Sequence, residues 1–229
     1  MTAPFVFWGK SEGEGPHLRY LSVLEHSLNV AAVAESWMEN RPSLWHRWAD
    51  LLGLAIDQKS LSAARNIALH FILLHDLGKY DHRFQGKHTP LFGRLNGTPI
   101  PTTPGSFDHG AKGLHFFSRF RVGRGLLKAK KIEWFQFMRA TTSHHGRYTE
   151  LKIIHQAAEK IQDSEMKADL RESFAFERDR AIAEHIRNAE TLFPLPYFEP
   201  FRKTTVDALV FLAGMCSVSD WLEIGRAHV

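Results

Sequence analysis

The chain has 229 residues, 44% of them hydrophobic, with a formal charge of +4 and 14 histidines against a single cysteine. That size suits one domain with a substantial core, no apolar run approaches the roughly 18 residues of a membrane span, and MTAPFVFWGKSEGEG lacks the charged start and apolar stretch of a secretory leader. Cys216 alone excludes an internal disulfide and a cysteine-rich zinc site, so a metal centre here must use histidine and carboxylate. The expected location is cytoplasmic, without membrane contact, and the mild positive charge favours anionic partners without choosing among them.

Helical periodicity runs through most of the chain, and no alternating strand pair stands out. WGKS at 8–11 lacks the upstream glycine and strand-loop-helix context of a phosphate loop. Residues 20–39 put Val23, His26, Val30, Val33 and Trp37 on one helical face; residues 60–79 do the same with Ala64, Ala68, Phe71 and His75, with Gly78 placed to end the helix. From 81 to 108, four prolines and four glycines predict a long loop, uncommon in a compact domain unless it acts as a lid or lacks order. Phe84-Gln85 there reads as loop packing, and His82 and His88 as ordinary surface residues. Helix is expected again from His109, over 131–145, through 149–192, and over 202–222. In the last, Val206, Leu209, Ala213, Cys216 and Asp220 share a face, which aims an acid at the core.

Five segments therefore offer ligand-type side chains: His26, His75-Asp76, His109, His144-His145 and Asp220. Singly, each has a structural explanation: a satisfied core histidine, a helix-end pair, a histidine-glycine helix terminus, an acid paired with a base. Jointly, on helices that must pack together, imidazole plus carboxylate suits Fe, Mn, Co, Ni or Zn better than the all-oxygen shells of Mg and Ca.

The ordered set of histidines and aspartates, with LRYLSVLEHSLNVAAVA, LHDLGKYDHRFQ, FDHGAKGL, SHHGRY and SVSDWL, resembles the HD metal-dependent phosphohydrolases. In detail it resembles the HD nuclease domain of the CRISPR-associated Cas3 family, and FWGKS with VLEHSLNVAAVA is most similar to the type I-E subtype. The resemblance implies an all-α HD-domain helical bundle carrying the long proline- and glycine-rich loop. It would occupy residues 1–222 and work with a helicase in the same natural chain or separate, while LEIGRAHV after the last helix makes 223–229 an expected truncated or cloning-derived tail. It further implies two divalent transition-metal ions, Fe, Mn, Co or Ni ahead of Mg or Zn. His26, His75, Asp76 and Asp220 match the ligands of one; Asp76, His109, His144 and His145 match those of the second, with Asp76 bridging. A metal-activated water would attack a phosphodiester in line. Lys79, one turn beyond the His-Asp pair, either neutralises the transition state with Asp76 or is a solvated helix-end lysine.

SRFRVGRGLLKAKKI, residues 118–132, carries Arg119, Arg121, Arg124, Lys128, Lys130 and Lys131 and no acid, which suits backbone phosphates or a plain solvated face. The aromatics Phe120, Trp134, Phe135 and Phe137 could stack bases, but their helical spacing favours core packing. The implied activity is cleavage of single-stranded DNA, endonucleolytic and possibly exonucleolytic, acting with a superfamily 2 helicase and the Cascade complex. Two other readings share the residues: a hydrolase of nucleotides or cyclic nucleotides, and an inactive HD docking or regulatory module.

Overall fold

In the computed structural model, residues 5–13, 15–102, 107–122, 131–146, 167–196 and 204–225 are described, and the fold is helical. A short ribbon of β1 (Trp8–Glu12) and β2 (Arg19–Ser22) precedes α1 (Val23–Glu39), α2 (Pro42–Leu51) and α3 (Gln58–Leu73). A 3-10 turn (Leu77–Tyr80), α4 (His82–Gln85) and α5 (Thr89–Asn96) follow. Then come α6 (His109–Val122), α7 (Lys131–Thr142), α8 (Ala168–Leu192) and α9 (Val206–Gly225).

The centre of the bundle is the second half of α3, where Ile67 to Leu74 are fully buried on every side, the pattern of a helix with no solvent face. Helices α1, α2, α7 and α8 pack around it, and α9 closes the bundle against α1 and α7. Phe71 meets Phe137 at 5.6 Å and Trp134 at 5.9 Å between ring centroids, so the aromatics after the basic stretch belong to the core. Buried Cys216 is core as well. The apolar face of α9 runs through Ala208, Leu212, Met215, Cys216, Ser219 and Asp220; Val206 points to solvent, a correction to the expected stripe by a partial turn. The helix continues to Gly225 and buries Glu223, so the division expected at 222/223 falls inside it.

Three further sequence expectations change. Although no strand pair was expected, β1 and β2 pair antiparallel, with an irregularity at Gly9. The strands are too short for alternation to show, and side-chain clasps hold them. Gln85 takes the Trp8 backbone N–H on its Oε1 (3.2 Å) and donates through Nε2 to the Trp8 and Lys79 carbonyls (2.9 and 2.7 Å). Second, the expected 81–108 loop is helical over much of its length. Pro90 sits in the first turn of α5, where a missing N–H costs nothing, and Gly97 caps that helix in the left-handed region at φ 67°. His88 accepts the Leu91 N–H at 3.3 Å and so caps α5; like His82 it is half-buried rather than on the open surface.

Third, α3 ends at Leu73, before the His-Asp pair. In a continuing helix, adjacent side chains diverge by about 100°; leaving the helix lets His75 and Asp76 both face inward. Gly78 serves close packing rather than the end of α3. A Cβ there would lie 1.7 Å from the His109 carbonyl oxygen and 2.8 Å from the Gly113 N. Gly110 and Gly113 likewise let α6 approach α7 and the 3-10 turn. Gly78→Ala is therefore expected to cost about 1–3 kcal/mol or more through overpacking and to displace His109. A urea unfolding midpoint equal to wild type would contradict the close approach.

Candidate metal centre

A capping box starts α1: Ser22 Oγ accepts the Glu25 N–H (3.2 Å) and the Glu25 carboxylate accepts the Ser22 N–H (2.8 Å), an arrangement worth about 1 kcal/mol. It fixes the first turn, and His26 follows directly on the buried face. Asp108 Oδ1 accepts the Ala111 N–H at 3.0 Å and sets the start of α6, where His109 stands. Gly146, at φ 79°, turns the chain after His144-His145, and Ser217 of α9 donates to the His144 carbonyl at 2.5 Å.

These devices bring all seven expected ligand residues together. His26 Nε2 lies 3.1 Å from Asp76 Oδ2 and 3.3 Å from Asp220 Oδ1; His75 Nε2 is 3.1 Å from Asp76 Oδ2; His109 Nε2 is 3.4 Å from Asp76 Oδ1. Three overlapping groups have ligand atoms within 4.8 Å of one another: His26, His75 and Asp220; His75, Asp76 and His144; His109, His144 and His145. The first two are buried, whereas His109 is half-buried and His145 exposed, so the constellation opens to solvent on the side of those two rings.

The ring orientations suit metal binding. His75 Nδ1 donates to the Ile72 carbonyl at 2.7 Å and His144 Nδ1 to the Thr141 carbonyl at 2.8 Å. A carbonyl only accepts, so each Nδ1 carries a proton and each Nε2 faces inward as the ring nitrogen free to ligate, the orientation found in metal-bound histidine. The Nε2 atoms of His75, His109 and His144 are buried without a hydrogen-bond partner among the described residues. Such orphaned buried atoms are uncommon, and their convergence beside two carboxylates fits a cation. By contrast, the buried His70 reaches the Phe193 carbonyl at 3.0 Å, and His185 joins the Leu73 carbonyl to the Tyr80 hydroxyl at 2.8 and 3.1 Å.

Burial opposes ionisation of Asp76, yet His75, Lys79, His109 and His26 outweigh it and hold the carboxyl well below its usual range. Asp220 is likewise raised by burial and lowered more by His26 and His75, to about 2. Burial disfavours charge on His26, but the adjacent carboxylates of Asp220, Asp76 and Glu223 lift it to about 10. Burial and the neighbouring His75 push His144 down to about 3, so it is neutral at pH 7.

Lys79 Nζ is 2.6 Å from Asp76 Oδ2, and its side chain is largely buried, unlike the solvated lysine considered from sequence. Phe84 lies beside the mouth, with its ring 5.9 Å from His109 and the Lys79 and Lys87 ammoniums 5.5 and 5.1 Å from its centroid. Of the basic stretch, Arg119 pairs with Asp179 of α8 at 2.8 Å. Arg121 and Lys131 stand at the ends of α6 and α7, and Arg124, Lys128 and Lys130 lie outside the described residues. Sequence reasoning passed over Glu223, Ser217 and Asp81. Asp81 is fully buried, caps α4, and holds Arg83 at 2.8 Å and Lys112 at 3.6 Å. Its adjacency to a His-Asp motif and a histidine gave it no separate signal.

Residues 8–223 match the family model described as Cas3, HD domain. The chain is 33% identical, over a 239-position alignment, to the CRISPR-associated endonuclease/helicase Cas3 of Escherichia coli (strain K12), covering 94% of this chain and 25% of that protein. It thus spans about a quarter of that relative's length. A crystal structure of a CRISPR-associated protein superposes with TM-score 0.69 at 22% identity, over 99% of this chain and 23% of that one. The Thermus thermophilus Cas3 HD domain, crystallised in the presence of Ni2+, superposes with TM-score 0.54 at 19% identity, over 88% of this chain and 70% of that one. No helix among the described residues is long and apolar enough to cross a membrane. With the family model running from the first strand to the last helix, the chain belongs to the Cas3 HD domain family.

Proposed function

We propose that this domain is a metal-dependent nuclease cleaving single-stranded DNA, working with a superfamily 2 helicase and the Cascade complex in CRISPR interference. The observation that carries the reading is the convergence of imidazole Nε2 atoms on the buried Asp76 and Asp220 carboxylates, open on one side. The helicase partner is inferred from the relative that is both endonuclease and helicase, of which this chain spans a quarter.

His26, His75, Asp76 and Asp220 would hold one divalent ion, and Asp76, His109, His144 and His145 a second, Fe, Mn, Co or Ni being the best suited to this donor set. When bound, such ions supply Lewis acidity toward a phosphodiester and toward water. The residues do the rest. Asp76 presents both oxygens between the two imidazole groups, and the His75 and His144 rings are locked by their carbonyl partners. Exposed His145 and half-buried His109 line the side from which a strand would approach. Lys79 holds Asp76 Oδ2 through a charge-assisted contact and would place a positive charge beside a phosphodiester held there.

Asp76→Ala is expected to abolish cleavage of circular single-stranded DNA while keeping a wild-type far-UV circular dichroism spectrum. Wild-type protein should cut that circle only when Mn, Fe, Co or Ni is restored after chelation. Cutting by the variant would sink the two-ion assignment; activity confined to mononucleotides would turn the reading toward a nucleotide hydrolase.

Because His26 is raised to about 10, it is protonated at neutral pH and must lose that proton to ligate through Nε2. Cation affinity should therefore fall as pH drops from 8 to 6, by up to about tenfold per unit for one displaced proton. Calorimetric titrations in buffers of different ionisation enthalpy count the released protons, and a count of zero contradicts the assignment. For the basic stretch, Arg121→Glu with Lys128→Glu should weaken single-stranded DNA binding and reduce its salt dependence. An unchanged salt slope removes those side chains from the binding surface.

A further inference from the structure

His75 and His144 have their Nδ1 protons held by carbonyls three residues back in the chain. His26 has a different neighbour. With Nε2 facing Asp76 and Asp220, its Nδ1 lies at ion-pair distance, 3.3 Å, from Glu223 Oε2 without the alignment of a hydrogen bond, and the same oxygen receives Lys10 Nζ at 2.9 Å. Glu223 is 7% exposed, too buried for an incidental surface acid. Lys10 projects from β1, which the Gln85 clasp ties to the Lys79 turn. A buried acid with one anchoring cation and one imidazole in reach has little freedom of direction.

We infer that Glu223, anchored by Lys10, is a positioning residue that fixes the ring orientation and tautomer of His26 for metal binding through Nε2. The inference rests on the metal-dependent reading above. A ligating imidazole that gives its Nε2 lone pair must keep the proton on Nδ1, and a carboxylate accepting that proton both orients the ring and raises its basicity. Lys10 balances the charge, so Glu223 does not draw a cation away from Asp76 and Asp220. In this arrangement the last helix contributes twice, once through the acid Asp220 and once through the acid that sets the opposing histidine.

The test is Co2+ binding by the 229-residue chain, read by calorimetry and by visible absorption, for wild type, Glu223→Ala, Glu223→Gln, Lys10→Met and Asp76→Ala. Glu223→Ala is expected to weaken binding roughly 10- to 100-fold and to alter the Co2+ absorption bands. Glu223→Gln, whose amide oxygen still accepts the Nδ1 proton, should lose less, and Lys10→Met should shift in the same direction by a smaller factor. Wild-type affinity and absorption in a folded Glu223→Ala protein would overturn the inference, as would a lowered melting temperature with unchanged affinity. If Glu223→Ala does not fold, Glu223→Gln and Lys10→Met decide the question on the same readouts. Failure of wild type itself to bind Co2+, with Asp76→Ala no different, would remove the metal reading and this inference with it; wild-type binding lost only in Asp76→Ala would remove this inference alone.

Discussion

A carboxylate with no access to water, Asp76, is the constraint around which the bundle is organised. Its ionised form survives complete burial because an ammonium and three imidazole nitrogens reach its two oxygens, Lys79, His26 and His75 at one and His109 at the other. Removing one partner from a buried charge costs far more than a surface ion pair is worth. That asymmetry explains why α1, the turn after α3 and the start of α6 must meet in one place. Asp220 adds a second acid at the same His26 nitrogen and extends the demand to α9.

Most of the ligand-type residues stand at helix ends rather than in helix middles. His75 and Asp76 follow α3, His109 opens α6, and His144 and His145 follow α7. The last turn of a helix leaves carbonyls without intrahelical partners. At α3 and α7, those of Ile72 and Thr141 accept the Nδ1 protons of His75 and His144. These carbonyls, each of which also takes the backbone N–H of the same histidine at 3.2 Å, thereby orient the rings. His26, inside α1, has no such carbonyl to spare, and its Nδ1 meets a side chain instead.

Legibility from sequence followed the range of the interactions. The seven residues His26, His75, Asp76, His109, His144, His145 and Asp220 could be picked out because their order and spacing resemble a family pattern, and local periodicity was enough to put Cys216, Trp134 and Phe137 in the core. What escaped were features decided by contacts distant in sequence. The β1–β2 ribbon depends on a glutamine 77 residues from Trp8. Prolines and glycines between 81 and 108 read as loop because composition does not say whether Pro90 begins a helix or breaks one. Gly78 looked like a helix end because nothing local reveals that the His109 carbonyl occupies the place of its Cβ. Glu223 lay beyond the expected end of the domain, and its partner Lys10 is 213 residues away.

That last separation sets an order of assembly. The ribbon and α1 leave the ribosome first, yet the acids that complete the surroundings of His26 arrive with the final helix, as does the Ser217 hydroxyl that braces the His144 turn. Contacts of such long sequence separation form late, because closing a long loop costs entropy before it returns any contact energy. A nascent chain that has released α7 but not α9 holds most of the imidazoles and only one of the two acids. The ligand cluster is thus completed only when α9 packs, and a chain without α9 in place carries it in an incomplete form.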